Sequence, residues 1–361
     1  MKKVCIFTPH LSGFGGTETV ISNLFSEFDT VADSNYHLKL FCVGGYENGE
    51  WLKGIKDRKI ISFGKSMFLR KIKYVFFLPF LLPFLIAKEK DAFAVVVTHP
   101  IMWYILFLFK KIFRRKYLIV AWYHFSLKNK PIKRTYLNKA DGYFAISSGI
   151  AGQYRNLGIS KEKIRTIYNP VLRNSVTVPR TFSDDKRRFI YVGRVMLDGQ
   201  KNLRYLIDVL ANVHGNWELL IYGHGEISKV KAYIQSKNLS AKIKFMGFKK
   251  DVWTSLSRVD ALLLTSKFEG FPMVLNEAIS VGIPVISVNC ETGPEDIINR
   301  NNGFLVEKND QSLFIYYLQK MVDGQIQLSD YLQIKNSINQ FYSDNYCLNF
   351  CNALASLKKE N

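Results

Sequence analysis

Ala261-Leu262-Leu263-Leu264-Thr265 and, two residues on, Phe268-Glu269-Gly270-Phe271-Pro272-Met273-Val274-Leu275-Asn276-Glu277 form the stretch on which the fold turns. The first segment is a short, unbroken apolar run and reads as a strand of a buried parallel sheet. Pro272 stands where a helix would open, a position at which its missing N–H costs nothing. Glu269 then falls on the loop at a strand's carboxyl end, and Glu277 early in the following helix. Open α/β sheets bind ligands at that end. A helix amino end offers free N–H groups to an anion, and a carboxylate is a strong acceptor for hydroxyls. Anion plus polyol is the chemistry of a nucleotide sugar. The alternative is an ordinary strand–loop–helix with one solvated and one salt-bridged glutamate. The two glutamates alone would favour that alternative; the pattern elsewhere in the chain tips the balance.

Working outward, 361 residues suffice for two domains of roughly 150 residues each. A hydrophobic content of 48% supports sizeable cores and argues against disorder. The net charge of +20 calls for a polyanionic partner, whether nucleic acid, anionic lipid or phosphorylated glycan. Cys5, Cys42, Cys290, Cys347 and Cys351 lack metal-ligand spacing and fit reduced thiols in a reducing compartment. Cys347 and Cys351 are four apart on an expected helix, where packing is their role. The amino end runs straight into a strand, Lys3 to Thr8, without the pattern of a signal peptide. The longest apolar run, Tyr74 to Ala87, falls short of the roughly 20 residues that span a bilayer.

After that first strand comes Pro9-His10-Leu11-Ser12-Gly13-Phe14-Gly15-Gly16-Thr17-Glu18, leading into a helix with Val20, Ile21, Leu24, Phe25 and Phe28 on one face. Glycines between strand and helix let backbone approach a ligand closely; a plain tight turn is the alternative. The loop is not the dinucleotide fingerprint, because Glu18 stands where its third glycine would be. Strands are expected at 36–43, 93–98, 117–122, 142–146 and 164–168, with Ser147-Ser148 capping a helix and Asn169-Pro170 ending this half. His124 lies just past a strand's carboxyl end, placed either for the crevice or for a structural hydrogen bond. Residues 53–73 hold Lys53, Lys56, Arg58, Lys59, Lys65, Arg70, Lys71 and Lys73 against a lone Asp57. The apolar segments 74–87 and 101–109 follow, the second closed by Lys110-Lys111 and Arg114-Arg115-Lys116. Apolar, aromatic-rich segments flanked by basic residues fit an anionic membrane surface, over 53–116. Two core helices with solvated basic flanks are the alternative. Nucleic acid is not expected: the aromatics sit inside apolar runs and do not interleave with the charges.

Residues 171–187, with Ser183-Asp184-Asp185-Lys186, read as a linker. Beyond it the alternation restarts: strand 188–193, helix 202–213, strand 217–222, helix 226–237, strand 242–246, helix 251–258, strand 260–265, helix 272–281, strand 284–288, and a last helix over 329–358. Two such runs imply two doubly wound domains. The first strand ends Gly193-Arg194, and Lys201 opens a helix. A guanidinium fork and an ammonium beside a helix amino end suit a diphosphate; surface charges on a loop are the alternative. No D-x-D pair occurs, so a metal-bound diphosphate has no evident ligands, and the two cations would stabilise the departing charge instead. Gly223-His224-Gly225-Glu226 is a second glycine turn without a third glycine.

Together, the Gly15-Gly16 loop, Gly193-Arg194 with Lys201, and Glu269 with Glu277 in Glu-Gly-Phe-Pro resemble the retaining glycosyltransferases of family 4, over nearly the whole chain. The resemblance implies the α/β GT-B fold: two doubly wound Rossmann-like domains facing a central cleft, with a carboxyl-terminal helix crossing back. It divides the chain into 1–170, acceptor-binding and membrane-facing, 171–340, nucleotide-sugar-binding, and 341–361, packing back on the first domain. It implies that Arg194 and Lys201 hold the donor diphosphate, Glu277 the ribose, and Glu269 the sugar hydroxyls, with the backbone of Gly270, Phe271, Met273 and Val274 beside it. Gly15 and Gly16 would approach the diphosphate, His124 the transferring sugar, and Glu18 the acceptor. Gly13–Asn23, His124–Leu127, Ala145–Ile150, Tyr168–Val171, Gly199–Lys201 and Leu262–Met273 resemble, within the family, transferases of lipopolysaccharide core. The Arg194–Lys201 spacing, two residues longer than is usual in the family, is shared with them. This narrower likeness implies galactose from UDP-galactose as donor, with no cofactor and no metal. The acceptor would be a lipid-linked or lipopolysaccharide-type glycan at the cytoplasmic face of the membrane. Another UDP-hexose (glucose or N-acetylglucosamine) passed to capsule, exopolysaccharide or teichoic acid remains open. So do a nucleotide-sugar 2-epimerase and a catalytically silent membrane-docking protein. A dehydrogenase is disfavoured, since neither glycine loop completes G-x-G-x-x-G.

Overall fold

Short apolar runs become parallel strands here because a strand covered by helices on both faces must be apolar on both faces. The computed structural model describes residues 1–31, 35–64, 66–180 and 186–360. From the amino end the elements are β1 (Lys2–Thr8), α1 (Gly16–Val31), β2 (Tyr36–Gly44), β3 (Arg58–Ser62), α2 (Met67–Ala87) and β4 (Ala92–Val97). Then come α3 (Pro100–Ile112), β5 (Leu118–Ala121), α4 (Arg134–Leu137), β6 (Gly142–Ala145), α5 (Ser148–Asn156) and β7 (Ile164–Thr166). The second half holds β8 (Arg187–Val192), α6 (Leu203–Leu210), β9 (Trp217–Tyr222), α7 (Ile227–Ser236), β10 (Ile243–Gly247) and β11 (Ala261–Leu264). It continues with α8 (Met273–Ser280), β12 (Val285–Asn289), α9 (Pro294–Ile297), β13 (Gly303–Glu307), α10 (Gln311–Val322) and α11 (Tyr331–Asn336), and the chain closes on α12 (Ser343–Glu360).

Two units result. The first comprises Met1–Pro170 and Phe341–Asn361, the second Val171–Gln340. In the first, a seven-stranded sheet runs β3-β2-β1-β4-β5-β6-β7; in the second, a six-stranded sheet runs β10-β9-β8-β11-β12-β13. Among the described residues every strand pairing is parallel. Chain order reverses between β1 and β4 and between β8 and β11, which are the places where such sheets open a ligand crevice. The strands that flank the second reversal pair as Phe189↔Ala261 and Ile190↔Leu262. Beneath them Phe189, Tyr191, Leu206, Trp217 and Phe314 form one buried cluster. Each such side chain removed from water stabilises the unit by about 1.5–3 kcal/mol.

The last helix completes the first unit. Phe350 of α12 packs against Phe28, Trp122 and Phe144, and Cys347 Sγ lies 3.7 Å from the Leu24 carbonyl. A Cβ at Gly142 would stand 2.5 Å from Leu357 Cδ1, so the glycine makes room for this helix on β6.

Several elements depart from the sequence reading, each for a physical reason. β3 and β13 are extra strands at sheet edges, where one side meets solvent and the run is short and mixed. Residues 251–258 form only a 3-10 turn, Trp253–Ser255; β-branched and hydroxyl side chains there disfavour a helix. The helix expected over 329–358 breaks between α11 and α12, where Asn302 Nδ2 donates to Ser337 Oγ at 2.9 Å. The stretch read as a linker instead lies along the second unit over 171–180. Val178 N donates to Val281 O, Val259 N to Pro179 O, and Lys335 Nζ to Val176 O. Ser183, Asp184 and Asp185 of that stretch, like Lys65 of the basic tract, lie outside the described residues.

Candidate active site

In the second unit the site grows from the loops after β8 and β11. Gly193, at φ +156°, ends β8, and Tyr191 Oη donates to Arg194 O at 2.7 Å beneath the turn. The turn is braced from behind. A Cβ at Gly223 would come within 1.8 Å of Gly193 O, and one at Gly225 within 2.2 Å of Val195 O. Val195 N donates to His224 O at 2.8 Å, and Glu226 Oε2 accepts the Leu197 amide at 3.0 Å. The Gly223–Glu226 turn is thus a buttress for the Arg194 loop.

Arg194 is exposed, and its Nη2 donates to Gln200 Oε1 at 2.7 Å. Gln200 Nε2 turns the other way, donating to Phe268 O at 3.0 Å and Glu269 Oε2 at 3.3 Å. Lys201 Nζ meets Glu269 Oε1 at 2.7 Å, with both side chains largely buried. Lys267 N donates to Gln200 O at 2.8 Å, and Thr265 Oγ1 reaches Asn202 O at 3.2 Å. Thr292 Oγ1 donates to Glu269 O on the far side. Two loops distant in sequence are therefore sewn into one rigid floor. Gln200 carries no signal of its own in the sequence beyond its place in the extended loop.

Phe271 and Met273 are buried and seat the start of α8, with Pro272 as its N-cap and Val274 in the first turn. Glu277, one turn along, is partly exposed. Burial pushes its carboxyl up to about 7, against a hydrogen bond from Trp253 and the charge of Lys201. The structure thus brings Arg194, Lys201 and Glu269 together at the sheet reversal, with Gly270, the α8 amino end and Glu277 following on the same strand–loop–helix.

The first unit holds the remaining candidates. Gly13, at φ +89°, lies where a Cβ would be 2.1 Å from Asn48 O. Glu18 is buried in its own loop, where Oε1 accepts from Ser12 Oγ at 3.1 Å and Gly13 N at 2.8 Å. A Cβ at Gly15 would meet Glu18 Oε2 at 2.7 Å, while Gly16 opens α1 and is exposed. Glu18 therefore shapes the glycine loop in this structure. His124, just past β5, packs on Trp122 with ring centroids 4.6 Å apart. Burial pushes its imidazole down to about 3, so it is neutral at ordinary pH. Its Nε2 and the Trp122 Nε1 are buried with no hydrogen-bond partner among the described residues. Gln153 holds the segment that follows, its Oε1 accepting the Leu127 amide at 2.7 Å.

The apolar segments of this unit are α2 and α3. Ser66 caps α2, and the helix takes in the end of the basic tract, Arg70, Lys71 and Lys73. Leu78, Leu82, Leu85 and Ile86 face inward, while Phe68, Val75, Phe76 and Phe80 are each at least 66% exposed. Ile112 and Phe113 at the end of α3 are exposed beside Lys111 and Arg114. The segment 74–87 thus turns part of its apolar surface outward, while 101–109 buries Met102, Trp103 and Leu106. Among the described residues no helix is long and apolar enough to cross a membrane, and no cluster of three or more metal-ligating side chains occurs.

Comparison with known proteins bears on the family and the fold. The family model of group 1 glycosyl transferases matches residues 177–338, and that of Glycosyltransferase Family 4 matches 14–172. The chain is 36% identical over 362 residues to the lipopolysaccharide 1,6-galactosyltransferase of Salmonella typhimurium, spanning 98% of this chain and 99% of that one. It is 35% identical over 358 residues to the Escherichia coli protein of the same name, spanning 95% of each. Among solved structures, the apo form of the lipopolysaccharide outer core galactosyltransferase WaaB matches with a TM-score of 0.82 at 35% identity, over 98% of this chain and 99% of that one. HepE of Anabaena in complex with UDP matches with 0.78 at 16% identity, over 99% of this chain and 100% of that one, a likeness of fold alone. At such identity over nearly the whole of both chains the relationship is one of family: this chain belongs to the family 4 glycosyltransferases and is a sugar-transferring enzyme with the GT-B fold.

Proposed function

We propose that the protein transfers galactose from UDP-galactose to a lipid-linked glycan of the lipopolysaccharide-core type, with retention at the anomeric carbon and without a metal ion. The carrying observation is the Lys201–Glu269 pair, bridged by Gln200 to Arg194. In the free enzyme Lys201 is neutralised by Glu269. An arriving diphosphate gives Lys201 and Arg194 a stronger anion, and Glu269 is released to accept the sugar hydroxyls. The α8 amino end, with Gly270, Phe271, Met273 and Val274, adds N–H groups and dipole to the same phosphates. Glu277, once ionised, accepts the ribose hydroxyls. Gly15 and Gly16 approach the diphosphate, neutral His124 hydrogen-bonds the moving sugar, and Glu18 holds the loop near the acceptor.

In the step itself the bond from the anomeric carbon to the diphosphate oxygen breaks. The acceptor hydroxyl oxygen bonds to that carbon on the same face, and its proton passes to the departing phosphate oxygen. Lys201 and Arg194 stabilise the charge that develops on the leaving group, the term that dominates when no metal serves. The first unit would bind the acceptor and the second the donor. The apolar face of α2 and the end of α3, with the basic residues of 53–116, would rest on the anionic inner face of the cell membrane.

Purified protein is incubated with UDP-galactose, UDP-glucose or UDP-N-acetylglucosamine in the presence of EDTA, and UDP release is followed with and without lipopolysaccharide. Acceptor-stimulated release from UDP-galactose alone is expected. Stimulation by another UDP-sugar would move the donor, and dependence on added metal would overturn the metal-free mechanism. Flotation with anionic liposomes tests the membrane face; no binding at low salt would reject it.

A further inference from the structure

Tyr74 sits at the start of the apolar half of α2, and its hydroxyl reaches back into the sheet of the first unit. The Oη atom donates to Val43 O, near the end of β2, at 2.5 Å and accepts the His10 amide at 2.6 Å. The ring meets Phe63 edge-on, with centroids 5.1 Å apart. A Cβ at Gly44, where φ is +108°, would stand 2.1 Å from that oxygen, so the glycine is what admits the phenol. Beyond His10 the backbone is paired in succession. Leu11 N donates to Gly45 O at 3.3 Å, Glu47 N to Leu11 O at 3.2 Å, and Asn48 N to Ser12 O at 3.0 Å. Ser12 and Gly13 then both donate to Glu18, which lies against Gly15. One oxygen atom thereby links a helix with an exposed phenylalanine face to the glycine loop, through backbone pairs between 11–12 and 45–48 and then the side chains of Ser12 and Glu18. Packing alone does not call for that oxygen, since a phenyl ring would fill the same place against Phe63.

We propose that Tyr74 is a positioning residue for transfer, tying the loop His10–Gly16 to α2 so that seating this helix on a bilayer sets the loop. The inference rests on the donor and membrane readings above. Its physical content is that a hydrogen-bonded strap holds reacting groups in register, where small displacements cost large factors in rate.

The test uses the full chain carrying Tyr74→Phe, which removes the oxygen and keeps the ring. Flotation on anionic vesicles is expected to match wild type. Transfer to lipopolysaccharide and to its water-soluble deacylated form is expected to fall by about tenfold or more in kcat, and added vesicles should no longer accelerate the soluble reaction. Phe63→Leu, which loosens the ring but leaves the hydroxyl, should lower Tm and keep kcat within about twofold. Equal losses of kcat in both variants, tracking Tm, would mean packing only and overturn the proposal. So would a Tyr74→Phe enzyme within about twofold of wild type. Amide exchange supplies a readout independent of the sugar donor: residues 10–16 should exchange faster in Tyr74→Phe, and more slowly in wild type on vesicles. Unchanged exchange in the variant overturns the assignment whatever the donor. A wild-type protein that does not float instead strikes the membrane reading, and with it the bilayer part of this proposal.

Discussion

Around Lys201 and Glu269 the second unit ties its charged groups to one another, whereas past β5 the first unit leaves a histidine and a tryptophan unpartnered among the described residues. Of the neutral groups beside the charged set, Ser266 Oγ and the Asn276 amide are also buried without partners among the described residues. After β8 and β11, Arg194, Gln200, Lys201 and Glu269 hydrogen-bond in a closed set, and a glycine turn braces them from behind. Past β5 of the first unit, His124 Nε2 and Trp122 Nε1 are buried without partners among the described residues, and a few elements away α2 turns phenylalanines outward. Buried polar groups are ordinarily satisfied, so an unsatisfied one marks strain or a place where something else binds. The contrast suits the division of labour proposed here. A donor whose charge and shape are constant is met by a preformed floor. An acceptor delivered from a bilayer would be met by the apolar face of α2 and by the loop that Glu18 shapes, with His124 waiting for the sugar that passes between the two substrates.

The comparison can be broken at its strongest point first. Lys201→Ala should slow transfer by about 100- to 1,000-fold, because the leaving group loses its ammonium. A folded variant with near wild-type kcat would remove the closed set from the mechanism. Next, replacing Phe76 and Phe80 together by Ser should weaken vesicle binding by about 10- to 100-fold, while UDP affinity stays unchanged. Loss of both would mean that the two regions are not separable in function. Gln200→Ala should cost about tenfold in kcat/KM, the value of a hydrogen bond to a charged group; isothermal calorimetry with UDP would divide that between binding and turnover.

The smallest effect is in pH. Glu277 has its carboxyl raised to about 7 from an ordinary 4.5. A group raised on folding stabilises the ligand-free protein below about 4.5, and that contribution is lost as pH rises through about 7. The ionised form is the one that accepts ribose hydroxyls, so UDP affinity should improve several-fold between about pH 6 and pH 8. Glu277→Gln should flatten that slope, and a slope that persists in the variant assigns it to another group.

Much of this was legible in the sequence, and what was not has a common cause. Apolar runs such as Leu262–Leu264 announce buried strands because both their faces are covered. β3 and β13 do not, because edges tolerate polar and basic residues. Arg194, Lys201 and Glu269 lie in loops that follow strands, where local order alone predicts a crevice, and the fold pairs Lys201 with Glu269 and joins Arg194 to them through Gln200. Gln200, the Tyr74 hydroxyl and the inward turn of Glu18 depend on contacts between segments far apart in sequence or on a loop doubling back. No periodicity encodes those. The neutral state of His124 likewise follows from burial, which a single position in the sequence does not reveal.

Helix α12 has a consequence for how the protein is made. Phe350, Leu354 and Leu357 lie in the core of a unit whose other residues end at Pro170. The first unit to leave the ribosome is therefore the last to be finished. It must wait, with the side of α1 against which Phe350 packs uncovered, while the whole second unit is synthesised, whereas the second unit has all its own residues in hand once Gln340 has emerged. A chain cut short after Gln340 would carry a complete second unit joined to a first unit without this helix, and quality control would see an exposed core where the longer chain shows a helix.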